Sequence, residues 1–316
     1  MKAGRQTTLR NRVTVSGIGV HTGLPVTLTL HPADAGTGVV FHRCGVHGEP
    51  DREIRANVRS VTATELATVL GDENGPGVST IEHIMAALCG LGVDNVVVEL
   101  DGPEAPIMDG SAAPFVAAID QAGIVSLTAL RRYTKVLKPI RVTRGNSFGE
   151  LLPYDRGFRV EVEIDFDNPL IGQQSLAVEV EPRAFRREIA RARTFGFMRD
   201  VAKLWGAGYA LGASLENTLV VADNRVLNPE GLRFADEFVR HKALDAIGDL
   251  ALAGAPILGA YRSVRGGHKL NHAVLLALIA DPSAWTVVEE RAPRSSRGHA
   301  DVASGLIAPA YRADAS

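Results

Sequence analysis

Phe158, Val160, Val162, Ile164 and Phe166 alternate without a break with Arg159, Glu161, Glu163 and Asp165. A strand turns successive side chains to opposite faces, so this stretch has one apolar and one charged face and cannot settle until the apolar face is covered. The chain must therefore hold a sheet packed on one side. Helical periods supply the cover. Apolar residues recur at steps of three and four in 81–91, 113–122, 184–192, 234–252 and 272–279, interleaved with short strand-like runs at 27–30, 96–100 and 176–180. The expected class is α+β.

At 316 residues, 46% apolar and 22% charged, the chain can bury a large core, which excludes disorder, collagen and coiled coil for its bulk. Domains run to ~100–200 residues, so two are expected. SLTALR (126–131) separates a half ending in a helix from a half opening on new strands, giving domains at 1–125 and 126–288. From residue 289 Arg, Ser, Gly, Ala and Pro replace the periodic pattern, and 289–316 reads as a mobile tail. Each half carries strands and then a late helix. That fits a duplicated two-domain fold, each domain a β-sheet layer with helices packed between the two sheets, although no repeat of residues supports it.

Thirty-four Lys and Arg against 36 Asp and Glu leave a formal charge of −2, so no global field draws in nucleic acid, and none is expected as a partner. The longest apolar run, 273–280, falls far short of the ~18–20 residues that span a bilayer. The basic first twelve residues lead into alternating residues and glycine, not the apolar core of a signal peptide. Cys44 and Cys89 have no CxxC spacing, which supports neither a disulfide scaffold nor a cysteine zinc cluster. A cytoplasmic protein, peripheral to a membrane at most, is the expectation.

Two helices carry candidate chemistry. In Ser79-Thr80-Ile81-Glu82-His83 the pattern S-x-x-E reads first as a capping box, with Glu82 reaching back to the N-cap amide. His83 lies on the side of Ala86, Ala87 and Gly90, where another element can approach closely; a lone histidine there is more often a satisfied core group than a ligand. On the second helix His241 and Asp245 continue the stripe Phe234, Phe238, Gly248, Leu252. An unpaired buried carboxylate costs several kcal/mol or more, so Asp245 needs a partner: His241 in an intrahelical bond, another segment, or a metal. With His83 as third ligand, His, His and Asp form an N/N/O set that leaves one tetrahedral position open, as in catalytic zinc sites. Glu82 would then stand beside the ion as a proton acceptor. Asp249 and Lys242 could add an orienting carboxylate and a cation from the same helix.

Three further strings are weaker. GGHKLN (266–271) sets His268 after two glycines and reads equally as a helix-entry loop. RARTFGF (191–197) combines arginine with aromatics, which suits phosphate and a base but also a solvated helix end. PIMDGS (106–111) reads as an Asp-Gly turn with Ser111 capping the next helix.

Taken together, STIEHIMAALCGLGVDN (79–95), PIMDGSAAPF (106–115), RARTFGFMRD (191–200), RFADEFVRHKALDAIGDL (233–250) and GGHKLN closely resemble, in order, the UDP-3-O-acyl-N-acetylglucosamine deacetylases, the zinc amidases of lipid A synthesis. GIGVHTG (17–23) fits as well, and the similarity spans about residues 5–285. The resemblance implies a duplicated α+β fold with inserts that shape the active site and an apolar acyl passage. It implies that His83, His241 and Asp245 bind zinc, or ferrous iron in the cell, and that Glu82 is the general base. His268 becomes the acid that protonates the leaving amine, Asp249 its orienting carboxylate, and Thr194 and Lys242 groups around the oxyanion. Phe195, Phe197 and Arg265 would meet the uridine diphosphate, and the insert near 198–215 would cover the acyl chain. Arg265 departs from the frequent family lysine, replacing a point donor with a fork. The implied substrate is UDP-3-O-acyl-GlcNAc and the expected state is a monomer. A zinc amidohydrolase acting on another N-acyl amino sugar is the rival within the class. A catalytically dead sugar-nucleotide binder is the rival outside it, opposed by the presence of every proposed ligand and base.

Overall fold

The computed structural model describes residues 4–45, 50–72, 75 and 77–289. Strand Phe158–Asp165 buries Phe158, Val160, Val162 and Ile164 and leaves the alternate charged residues wetter, as its pattern requires. It pairs antiparallel with Gln173–Glu179 and parallel with Ile257–Val264. Ile257–Val264 is the hub of a seven-stranded mixed sheet that also contains Arg132–Val136, Ile140–Arg144, Ser147–Leu152 and Trp285–Glu289. The first half forms a five-stranded mixed sheet in the spatial order Val13–Ile18, Pro25–Pro32, Val96–Leu100, Val39–Arg43, Arg52–Arg55. A small sheet of Phe195–Phe197, Leu219–Ala222 and Arg225–Val226 belongs to the second half and buries Leu219 and Val221 in the core.

Six α-helices are described: α1 (Glu82–Leu91), α2 (Ala113–Ala122), α3 (Pro182–Ala184), α4 (Val201–Gly206), α5 (Glu237–Leu250) and α6 (His268–Ala280). The protein is α+β. α1 and α5 pack directly against each other, α5 also lies on the strands at 158–165 and 173–179, and α6 covers those at 140–144 and 147–152. The apolar faces meet in one continuous core that runs through Phe41, Ile84, Phe115, Leu151, Phe238 and Leu275. No helix of the described residues is long and apolar enough to cross a membrane.

Several boundaries differ from the sequence reading. The expected helix at 184–192 is the single turn α3 followed by a π-helical turn, Phe185–Ile189. α6 starts at His268 and not at 272, because Gly267, fully extended at φ −176°, is its N-cap, so GGHKLN is the helix start itself. Ser126 lies inside strand Ile124–Leu130, which pairs with Arg5–Leu9, so the chain passes between its halves through a paired strand. Glu289 ends the last strand, and the rest of the expected tail, 290–316, lies outside the described residues.

Candidate metal centre

α1 begins two residues later than the capping-box reading requires. Thr80 takes a left-handed conformation, φ 58°, and Ile81 is the N-cap without a side-chain cap. The Ser79 hydroxyl donates to the Pro103 carbonyl, and Ser79 N–H bonds the same oxygen, so no box forms. Thr80 is held in its strained turn by its hydroxyl bond, 2.8 Å, to the buried Glu104, whose carboxylate also accepts from His21 N–H, Thr22 N–H and the Thr22 hydroxyl. The GIGVHTG loop is thereby fastened to the base of α1. Glu82 is freed from capping: its Oε2 accepts from the Thr68 N–H at 3.1 Å and its side chain is buried. Burial above all, aided by Asp245 and Asp249 and opposed by His268, pushes its pKa up to about 7.

Opposite α1, His241 and Asp245 stand one turn apart on α5, both 2% exposed. The helices cross so closely that a Cβ on Gly248 would lie 2.0 Å from the Glu82 carbonyl oxygen. This approach brings His83 to its partners. Asp245 Oδ1 is 3.3 Å from His241 Nε2 and 3.8 Å from His83 Nε2, the imidazoles are edge to face at 5.0 Å, and one ligand atom from each residue lies within 4.8 Å of the others. His241 Nδ1 lies 3.0 Å from the Ala192 carbonyl, which can only accept, so Nδ1 carries the proton and Nε2 offers a bare lone pair.

Asp245 Oδ1 and His83 Nδ1 are buried without a hydrogen-bond partner among the described residues. Burial lowers His83 to about 3, with His241 adding to the effect, and burial likewise lowers His241, so both rings are neutral at physiological pH. Burial opposes the Asp245 anion, yet His241, Lys242, His268 and His83 outweigh it and hold the carboxyl far below the usual range. Bare nitrogen lone pairs facing an anionic oxygen in a dry interior are costly until a cation lies between them, and two imidazoles with one carboxylate suit a borderline-soft divalent ion. The residues fit such an ion.

Around this triangle Lys242, Glu82, His268 and Asp249 are joined by hydrogen bonds and facing charges. Lys242 Nζ bonds Asp245 Oδ2 at 2.8 Å and lies 5.5 Å from the Phe195 ring centre. His268 Nδ1 meets Asp249 Oδ2 at 2.9 Å, which leaves Nε2 facing Glu82 Oε1 at 3.9 Å and Asp245 Oδ2 at 4.0 Å. Burial disfavours the His268 cation, but Asp249, Glu82 and Asp245 overcome it and raise the pKa to about 10. The sequence reading missed the residues that fasten Asp249: the Thr68 hydroxyl at 2.6 Å and Asn271 Nδ2 at 2.8 Å, with Tyr261 OH bonded in turn to Asn271 at 2.6 Å. Asn271 was within reach of inspection, as the residue one turn after His268 in GGHKLN. Thr68 acts through a backbone N–H and a hydroxyl in an unpatterned segment and had no signal.

Thr194 follows the segment that carries the Ala192 carbonyl, bonded through its N–H to the Gly110 carbonyl and through its own carbonyl to the Leu219 N–H. Phe195 is edge to face with Phe238 at 5.0 Å and lies 6.4 Å from the His241 ring, while Phe197 stacks under Arg199. Arg265 is paired with Asp165 and shares a surface cleft with His268 and the Gly266 and Gly267 turn. The stretch beyond Phe197 carries the exposed Met198, Trp205 and Leu211 and is tied to the GIGVHTG loop by bonds from Leu211 N–H to His21 O and from Gly212 N–H to Val20 O.

Comparison with known proteins gives the same direction. Residues 6–280 match the family model of the UDP-3-O-acyl N-acetylglycosamine deacetylases. The proteins named UDP-3-O-acyl-N-acetylglucosamine deacetylase from Brucella ovis and Brucella canis are each 52% identical over 285 residues, 90% of this chain and 98% of theirs, and that from Brucella melitensis is 51% identical over the same extent. The family match covers residues in both halves, including His83, His241 and Asp245, and the chain belongs to the UDP-3-O-acyl N-acetylglycosamine deacetylase family.

Proposed function

We propose that this protein is a cytoplasmic, monomeric, zinc-dependent amidohydrolase that removes the N-acetyl group from UDP-3-O-acyl-N-acetylglucosamine, releasing acetate and UDP-3-O-acyl-glucosamine in the committed step of lipid A synthesis, with ferrous iron as the alternative ion in the cell. The observation that carries the reading is the buried triangle of His83, His241 and Asp245, with its unsatisfied Asp245 Oδ1, beside the facing pair of Glu82 and His268. A divalent ion held by those three ligands would polarise the acetamide carbonyl and make water acidic enough to attack near neutral pH.

The side chains divide the remaining work. Glu82, raised to about 7, is matched as a base to neutral conditions, and with Oε2 tied to Thr68 its Oε1 is the free acceptor for the proton of the attacking water. His268, charged at neutral pH and locked at Nδ1 by Asp249, presents Nε2 as the donor for the departing amine. Lys242 and the Thr194 hydroxyl stabilise the negative oxygen that develops when water adds to the carbonyl. Phe195 and Phe197 line the approach for the nucleotide, Arg265 supplies a fork for phosphate, and the insert near 198–215 covers the acyl chain.

The purified protein, incubated with UDP-3-O-acyl-GlcNAc and analysed by mass spectrometry, is expected to give the free amine and acetate, to lose turnover on chelation and to regain it with added zinc. Amide left intact in the zinc-loaded protein would overturn the assignment.

A further inference from the structure

Segment 188–194 lies across the first turns of α5, pinned by arginines. Arg240 donates to the Glu188 carbonyl at 2.9 Å and Arg233 to the Arg191 carbonyl at 3.0 Å. Arg193 turns inward, 1% exposed, to meet Glu237, 0% exposed. Glu237 Oε1 accepts from Arg193 Nε at 2.9 Å and also from the Arg193 backbone N–H at 3.0 Å; its Oε2 accepts from Arg193 Nη2 at 3.2 Å and from the Arg233 backbone N–H at 2.5 Å.

The Arg193 N–H and the Ala192 carbonyl belong to one peptide group, planar and rigid, with N–H and C=O on opposite edges. The N–H edge is held by Glu237 and the carbonyl edge holds His241 Nδ1, and residues 237 and 241 are one turn apart on α5. A single turn of helix therefore grips both edges of one peptide. Two buried charges are weak evidence for stability, since apolar residues of similar volume often serve as well, so the pair calls for another reason to be there.

We infer that Glu237, neutralised by Arg193, is a positioning residue for the metal centre: by clamping the 192–193 peptide it fixes the Ala192 carbonyl, and hence the tautomer and aim of the His241 ring. The inference rests on His241 being a metal ligand. Loss of such an outer partner typically weakens metal affinity by about 10–100-fold.

The test uses Glu237→Gln, which keeps the shape but cannot serve all four donors, and Arg193→Met/Glu237→Leu, which removes both charges and keeps the fold if the buried cation in the first variant does not. Zinc affinity is read by chelator competition, and the His241 tautomer by nitrogen NMR of the histidine-labelled metal-free protein. The expected result is zinc bound about 10–100-fold more weakly and His241 no longer held as the single Nδ1–H tautomer. A lower melting temperature with wild-type zinc affinity and one tautomer would reduce the pair to a structural role and overturn the inference. His241→Ala separates the two levels. If it binds zinc like wild type, the ligand assignment fails; if it loses zinc while the clamp variants bind normally, only the clamp fails.

Discussion

Glu82 Oε1 and His268 Nε2 face each other across 3.9 Å, and each is held from behind, Glu82 by the Thr68 N–H and His268 by Asp249. One residue, Thr68, serves both supports, because its hydroxyl bonds Asp249 while its amide bonds Glu82. The Glu82 carboxylate and the His268 ring are thus set at a fixed separation by a single backbone position.

Glu82→Gln keeps the volume and an acceptor for the Thr68 N–H but cannot take a proton. With no capping box to lose, its melting temperature and zinc content should match wild type, while kcat falls by ~10²–10⁴-fold. Near-normal turnover would remove Glu82 from the mechanism.

His268 gives the metal-free protein a pH-dependent stability of definite sign. Its folded pKa, about 10, exceeds the ordinary 6.5, so the contribution is complete below pH 6.5 and is lost as pH rises through 10. The melting temperature of metal-free wild type should fall between pH 7 and pH 10, and that of His268→Gln should fall less. Parallel curves would mean that His268 is not held as a cation. A bound divalent ion repels the charged ring, so the basic limb of the activity profile should lie below 10.

One divalent ion per chain is expected after dialysis against a weak chelator. His241→Ala should retain well under one equivalent and lose activity. A variant that keeps both would show the three ligands to be wrongly assigned.

The acyl chain should add affinity at ~0.8 kcal/mol per buried CH₂ until its passage is full, so UDP-GlcNAc without a 3-O-acyl group should be a very poor substrate. Equal kcat/KM for the two compounds would favour the rival amidohydrolase that acts on another N-acyl amino sugar.

Gly248→Ala puts a methyl 2.0 Å from the Glu82 carbonyl, an overlap with backbone that no rotamer relieves. The helices must part, at about 1–3 kcal/mol of stability, and because the parting falls between His83 and its two partners, zinc affinity should drop as well. Wild-type affinity and melting temperature would show that the two helices are not so tightly apposed.

Much of this centre was legible because helical spacing is a local property. His241 and Asp245 announce themselves as polar residues on an apolar stripe, and the alternation at 158–166 declares its buried face. The small residues beside His83 pointed to a close neighbour: at Gly90 that neighbour is the Phe185 ring, and α5 comes closest where Gly248 meets the Glu82 backbone. Residues whose roles depend on distant contacts were hidden. Thr68 is 181 positions from Asp249, and the Ala192 carbonyl carries no side-chain signature at all. The capping box failed for a physical reason: the bond from Thr80 to Glu104 holds the chain left-handed just before the helix, so Ser79 stands outside it.

The close crossing of α1 and α5 also sets a schedule for synthesis. The first helix ends at Leu91 and its partner helix α5 does not start until Glu237. At ~5–20 residues per second, a ribosome takes roughly 7–30 s to make the intervening stretch. Throughout that wait the Glu82 end of α1 lacks the close backbone of Gly248, and no ion can be captured. Nascent chains halted before residue 237 should therefore be bound by chaperones and cut by protease within the first half, whereas chains halted well past 250, beyond the length of the exit tunnel, should resist; equal resistance of both would show that the first half completes its own core.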